Sequence, residues 1–342
     1  MARRSPPSSP SSACSGAVSE SRRYTSIAVI FGINYPWTVF EGRANYGCDF
    51  GTNIWNSHTG VSTHVDEVRA DFAAMGEIGL EVARWFVFTD GRGGVAWNAD
   101  GELTGLDDAF VDDMDAAIEC ASSAGMRLCL VLLDYSWMHH AGRCRYVTTA
   151  AGRSAFLDRL IDPVLERYGH AVHSFDVINE PDWVTDGLEP NRAHDPIALD
   201  ELRSFIGATA ERIHARSPAL VTVGGGRVKF AAEWDRPELG LDFVQVHSYP
   251  DVRYPERDET VFGRSAASFG LTKPLLIGEH PSNPRVHPAD HLSPAYTLED
   301  YLSLARDGGY VGAWPWSFKG GGAFGDVDQE ALRAAIDAVR PR

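Results

Sequence analysis

Leu128-Cys-Leu-Val-Leu-Leu133 decides the architecture. Six apolar residues in a row lack the in-out alternation of a half-exposed strand. That is the pattern of a parallel strand buried on both faces. An amphipathic stretch over 106–124 precedes it, with Gly125 placed to end a helix in the left-handed conformation. Working outward, the same unit of strand, polar loop and helix recurs along the chain. Strands are predicted at 26–34, 80–86, 127–133, 174–179, 220–224, 243–247, 274–278 and 312–318. Helices are predicted at 65–76, 106–124, 155–168, 199–216, 297–307 and 329–339. Eight such units in one chain predict an α/β protein, a single-domain (β/α)8 TIM barrel over residues 24–342. A doubly wound open sheet is the rival, and no Gly-x-Gly-x-x-Gly follows the first strand to support it.

Composition narrows the function classes. The 342 residues carry 31 Lys and Arg against 47 Asp and Glu, a formal net charge of −16. An acidic chain repels phosphate backbones, so nucleic acid is not the expected partner. No run approaches the length of a membrane span, and no membrane association is expected. Residues 1–23 are rich in Ser, Pro, Ala and Gly and hold four of the arginines, which predicts a disordered tail. No apolar signal core stands in that segment, so a cytoplasmic address is expected, with secretion left open. The five cysteines (14, 48, 120, 129, 144) form no Cys-x-x-Cys pair, which points to reduced thiols and no structural zinc. Whether Cys48 and Cys144, both on long loops, pair is left open.

The loops after the strands (36–64, 89–105, 134–153, 180–195, 280–294) are long, and those before them are short. In a barrel the long loops build the catalytic face, so chemistry is sought at strand ends. These give Asn34, Arg84, Asp134, Asn179-Glu180-Pro181, His247-Ser-Tyr249, Glu279-His280 and Trp316. Glu180 and Glu279 each follow a buried apolar run, where a charge is costly unless paired or used. The fourth and seventh strands face each other across an eight-stranded barrel, so both carboxyls can enter one cleft.

Glycoside hydrolysis needs two such carboxyls, at roughly 5–5.5 Å for retaining chemistry. Charges about 5 Å apart repel by about 3 kcal/mol at an effective dielectric of about 20. That raises one pKa by about two units and keeps an acid protonated. The partner stays ionised only beside a positive charge, and Arg84 is placed to supply one. Aromatic faces stack on sugar C–H faces, which marks Trp37, Phe40, Tyr46, Phe50 and Trp55 of the first long loop as subsite candidates. Trp85, Trp137, Trp183 and Trp314 are further candidates. Each of these rings has a core role as its plain alternative.

Asn179-Glu180-Pro181, Glu279, Arg84, His247-x-Tyr249 and Trp316, at these strand ends, resemble clan A glycoside hydrolases, in particular glycoside hydrolase family 5, the cellulase and mannanase group. The resemblance spans about residues 26–340. It implies that Glu180 is the general acid/base and Glu279 the nucleophile. Asn179 would bind the sugar 2-hydroxyl, Tyr249 would orient Glu279, and Trp316 would floor the reacting subsite. Asn34, Trp37, Arg84, Asp134, Trp137 and His247 complete the expected substrate-binding set. The expected substrate is a β-mannoside or β-glucan-type oligosaccharide, with a lean toward exo action because long loops would wall off one end of the cleft. A furanosidase or β-xylosidase on the same barrel remains open, as do a non-catalytic carbohydrate-binding barrel and a metal-dependent hydrolase. No cofactor and no metal are expected: no His-x-His follows the first strand, and His139, His140 and His280 are the loose histidines of this face.

Overall fold

The computed structural model describes residues 29–250, 260–282, 296–322 and 326–340. The expected tail over 1–23 lies outside the described residues. Eight parallel strands form one sheet in chain order: β1 (Gly32–Asn34), β2 (Val82–Phe86), β3 (Arg127–Asp134), β4 (Ser174–Asn179), β5 (Leu220–Gly225), β6 (Val244–His247), β7 (Leu275–Pro281) and β8 (Ala313–Trp316). β1 meets β8 through two backbone hydrogen bonds. Ile30 N–H donates to the Val311 carbonyl at 2.8 Å, and Phe318 N–H donates to the Asn34 carbonyl at 2.9 Å. The chain is a single-domain (β/α)8 TIM barrel.

Apolar side chains divide into two regions, as a barrel requires. Val82, Cys129, Phe243, Leu276 and Trp314 plug the interior. A larger shell, including Phe72, Met114, Leu130, Phe205 and Ile336, packs the helices onto the outside of the strands. Along β2, residues two apart point the same way. Val82 belongs to the plug, Arg84 lies above it, and Phe86 reaches the cleft.

Ser174–Asn179, Leu199–Arg216 and Gln329–Val339 have the predicted bounds. The predicted helix 106–124 does not. It begins at Phe110, because Leu103–Leu106 pairs antiparallel with Val95–Trp97 in a hairpin. The Asn98 side chain accepts from Asp100 and Glu102 N–H and makes that turn. Asp107 then accepts from Ala109 and Phe110 N–H, satisfying orphan donors of the helix start. The predicted helix 155–168 is two helices, Ala150–Phe156 and Asp162–Tyr168, joined through the π turn Leu157–Ile161.

Cys48, Cys120, Cys129 and Cys144 are free and buried, so Cys48 and Cys144 do not pair. Among the described residues no helix is long and apolar enough to cross a membrane.

Candidate active site

Arg84 organises the catalytic end of the barrel. It is fully buried, and its guanidinium makes five hydrogen bonds. Nε and Nη2 donate to Asp176 Oδ2 at 3.0 and 2.9 Å. Nη1 donates to Asn34 Oδ1 at 2.9 Å and Glu279 Oε1 at 2.7 Å, and Nη2 donates to Asn179 Oδ1 at 2.7 Å. One cation thus faces two carboxylates. Burial works against its charge, but Asp176 and Glu279 more than offset this, and the guanidinium is held charged. Such a fork-shaped donor set is what Arg supplies and Lys cannot.

The supports of this network are local. Gly224 gives Arg84 its space: a Cβ there would lie 2.8 Å from Arg84 Nη2 and 3.0 Å from Asp176 Oδ2. Gly226 does the same for Glu180, whose Cβ and Cγ would both be 3.1 Å from an added Cβ. The room left by Val223-Gly-Gly-Gly226 therefore serves the protein's own site residues. Asn34 Nδ2 donates to the Gly278 and Trp314 carbonyls at 2.9 and 3.2 Å, tying β1 to β7 and β8. Asn179 Nδ2 donates to Asp134 Oδ2 at 2.8 Å, which fixes the amide so that its oxygen meets Arg84.

Above this layer stand the two glutamates. Tyr249 Oη donates to Glu279 Oε2 at 2.9 Å, so both oxygens of Glu279 have a donor. Glu180 follows β4 with φ 49° and ψ 51°, a left-handed conformation uncommon for a residue with a Cβ. Its N–H donates to the Gly224 carbonyl at 2.7 Å, and Pro181 follows. His247 Nδ1 lies 3.0 Å from Glu180 Oε1 and 3.5 Å from Glu279 Oε1. Oxygen atoms of Glu180 and Glu279 and a His247 nitrogen all lie within 4.8 Å of one another. Among the described residues this is the one group of His, Cys, Asp and Glu spaced for a metal. A cation there would have to compete with Arg84 and Tyr249 for Glu279. His139, His140 and His280 are not part of it, and His280 is buried and stacked on Tyr301 at 3.8 Å.

Burial pushes both glutamate carboxyls up. For Glu279, His247 and Arg84 pull the other way, with the Tyr249 hydrogen bond. For Glu180 the Trp183 hydrogen bond pulls down, with Arg227, Arg84 and Arg192. The direct 2.7 Å guanidinium contact belongs to Glu279, so of the two carboxyls it is the one whose negative charge has a paired cation. Burial pushes His247 down to about 4, against the pull of Glu279.

A cleft of ≈ 430 Å³ opens onto both glutamates and is walled by Trp37, Phe86, Tyr135, Trp183, Tyr249 and Trp316. Asp134 and Asn179 also face it. A groove of ≈ 770 Å³ beside the Leu199–Arg216 helix contains neither glutamate. Of the other expected site residues, Asn34, Arg84 and His247 have no exposed surface and are bonded to other groups of the protein. Trp137 is fully buried against Trp97, Tyr146 and Phe156, where the Tyr135–His139 turn points its ring into the shell. Trp85, Trp314 and Phe50 are likewise core. Phe86, Tyr135 and Arg227 line the cleft without having been expected. Asp176 carries a signal of its own in the sequence, since an acid inside the apolar run Phe175-Asp-Val177 demands a buried partner.

No protein-family profile matches the chain. It is 25% identical over 331 residues to the mannan endo-1,4-beta-mannosidase of Mytilus edulis, covering 84% of this chain and 82% of the relative. The mannanase of Cryptopygus antarcticus is 22% identical, covering 86% and 82%. In fold, the endo-1,4-beta-mannanase of Eisenia fetida superposes with a TM-score of 0.73 at 21% identity, covering 92% and 91% of the two chains. A glycoside hydrolase family 5 enzyme of Prevotella bryantii gives 0.58 at 14%, covering 94% and 98%. In sequence the chain is thus similar to mannan endo-1,4-beta-mannosidases, and in fold to the barrels of β-mannanases and of a family 5 glycoside hydrolase.

Proposed function

We propose that the protein is an endo-acting hydrolase of β-1,4-linked mannan chains, working with net retention through Glu279 and Glu180. The observation that carries the reading is the Arg84-paired Glu279 with an oxygen within 4.8 Å of an oxygen of a second glutamate, Glu180, in one aromatic-walled cleft. That spacing suits a covalent glycosyl-enzyme and leaves too little room for the intervening water of an inverting enzyme.

In the first step a Glu279 oxygen bonds to the anomeric carbon as the glycosidic C–O bond breaks, and Glu180 gives its proton to the departing oxygen. In the second, the Glu180 carboxylate takes a proton from water, whose oxygen displaces Glu279 and restores both groups. Arg84 and Tyr249 hold Glu279 oriented and ionised. Their hydrogen bonds weaken as its charge passes into the ester and strengthen again on release. Asn179, fixed by Asp134, faces the cleft beside the reacting sugar.

The choice of mannan and of internal cleavage draws on the named activity of the relatives, which is endo, against the exo lean of the loop lengths. The aromatic wall favours it as well. Trp316 meets Trp37 at 5.7 Å and Trp37 meets Tyr46 at 4.9 Å, and Tyr46 is 54% exposed, so apolar surface continues outward from the reacting centre. Viscometry on a soluble mannan tests it. Endo action drops viscosity well before reducing ends accumulate. A linear release of mannose or mannobiose at constant viscosity overturns it, and activity confined to glucan, xylan or arabinofuranosides overturns the sugar assignment.

A further inference from the structure

Trp183 sits on the cleft wall, three residues past Glu180, and looks like one more sugar platform. Its surroundings argue otherwise. The Arg192 guanidinium carbon lies 4.0 Å from the centre of its ring and that of Arg227 lies 4.3 Å away. Each guanidinium is attracted by the π quadrupole of the ring, and each at this distance covers ring surface that a pyranose would otherwise stack on. What the indole offers is its edge: Nε1–H donates to Glu180 Oε2 at 3.1 Å.

Both arginines are anchored. Arg192 N–H donates to the Trp183 carbonyl at 2.8 Å, and Arg192 also hydrogen-bonds Tyr135. Arg227 Nε lies 3.4 Å from Glu189, which Lys229 approaches at 2.9 Å. The opposite oxygen of Glu180 meets His247 Nδ1 at 3.0 Å. The carboxyl is therefore pinned at both ends, by an imidazole on one side and an indole on the other.

We infer that Trp183 is a positioning residue for Glu180, its N–H fixing the carboxyl and its ring clamped by Arg192 and Arg227, and that it is not a sugar-stacking platform. The inference rests on the acid/base reading of Glu180. An N–H donor on Oε2 favours the carboxylate, so the clamp also sets how readily Glu180 gives its proton up. The other charged or titratable groups facing Glu180 are Arg84, His247, Glu279 and Tyr249 from β2, β6 and β7. From the end of β3 and the segments after β3 and β4 come Asp134, Tyr135 and Asp182. None of these changes in the test.

The test is Trp183→Phe, which keeps an aromatic face and removes the donor. Fold is checked by circular dichroism. On substrates with poor leaving groups kcat is expected to fall about tenfold with KM within twofold, while good leaving groups suffer less. The alkaline limb of kcat/KM is expected to move up by about one pH unit, since losing a donor raises the acid's pKa. A platform would give the opposite split: stacking survives in Phe, and neither kcat nor the limb moves. That result overturns the inference. Should the Phe variant not fold, Arg192→Ala, at an exposed position, carries the test. Its alkaline limb is expected to move up by a smaller amount, and an unmoved limb overturns the inference. Glu180→Gln separates the two levels. If it keeps full activity on poor leaving groups, the acid/base reading itself is wrong. If it is dead on them while Trp183→Phe is unshifted, only the clamp is wrong.

Discussion

Arg84 and Asp176 are both fully buried and share two hydrogen bonds, at 2.9 and 3.0 Å, one layer beneath the cleft. Asp176 does not reach the substrate side. It holds one edge of the guanidinium so that the other edge meets Glu279, Asn34 and Asn179. Glu279 is thus charge-paired and oriented by a residue with no exposed surface.

Arg84→Met should therefore damage fold and chemistry together. It leaves Asp176 and Glu279 buried without their cation, at a cost of roughly 3–5 kcal/mol. Chemical denaturation should show that loss, and residual activity should lie far below wild type. A variant with an unchanged midpoint would contradict the buried ion pair.

The tryptophans separate core from cleft. Trp137→Ala removes a fully buried ring and should cost about 3–5 kcal/mol. KM of the protein that remains folded should be unchanged. Trp37→Ala, on the cleft wall, should do the reverse: little change in stability, and KM on mannan-chain substrates raised about three- to tenfold. Denaturation curves paired with oligosaccharide kinetics check both, and a KM effect at Trp137 would restore it as a subsite.

Histidine burial predicts a pH effect on stability. His173, at the base of the barrel, is 5% exposed and burial pushes it down to about 4. The unfolded chain, with an ordinary imidazole near 6.5, takes up that proton first. Stability from this group is present above about 6.5 and is lost as pH falls toward 4. His280, pushed down to about 3, acts in the same direction. Carboxyls with raised pKa, such as Glu180, act oppositely, so the difference between variants is the readable quantity. His173→Gln should lose less thermal stability than wild type between pH 6.5 and 4. Parallel melting curves across that window would refute it.

The barrel and its two glutamates were legible because both depend on short local patterns. A continuous apolar run such as 128–133 has one economical use, and a Glu directly after such a run stands out. Asn98-Ala-Asp-Gly101 was equally readable as a hairpin turn, but the amphipathic pattern beyond it drew the helix too far back, to Leu106. Which tryptophan faces the cleft was not legible. Trp137 and Trp183 each follow a strand by three or four residues in a 3-10 turn, and only packing decides which way each ring goes. The clamp on Trp183 was hidden for the same reason, since Arg227 comes from another strand's end. Asp176 broke an apolar run in plain view.

The most direct test is to trap the intermediate. The enzyme is incubated with a 2-deoxy-2-fluoro-β-mannosyl fluoride, whose fluorine slows both steps and whose good leaving group favours the first. It is then digested and its peptides are weighed. The account predicts one fluorosugar per protein, carried on the peptide containing Glu279. A label on another carboxylate, or an enzyme that turns over mannan yet never accumulates a covalent adduct and releases the inverted anomer, would contradict it.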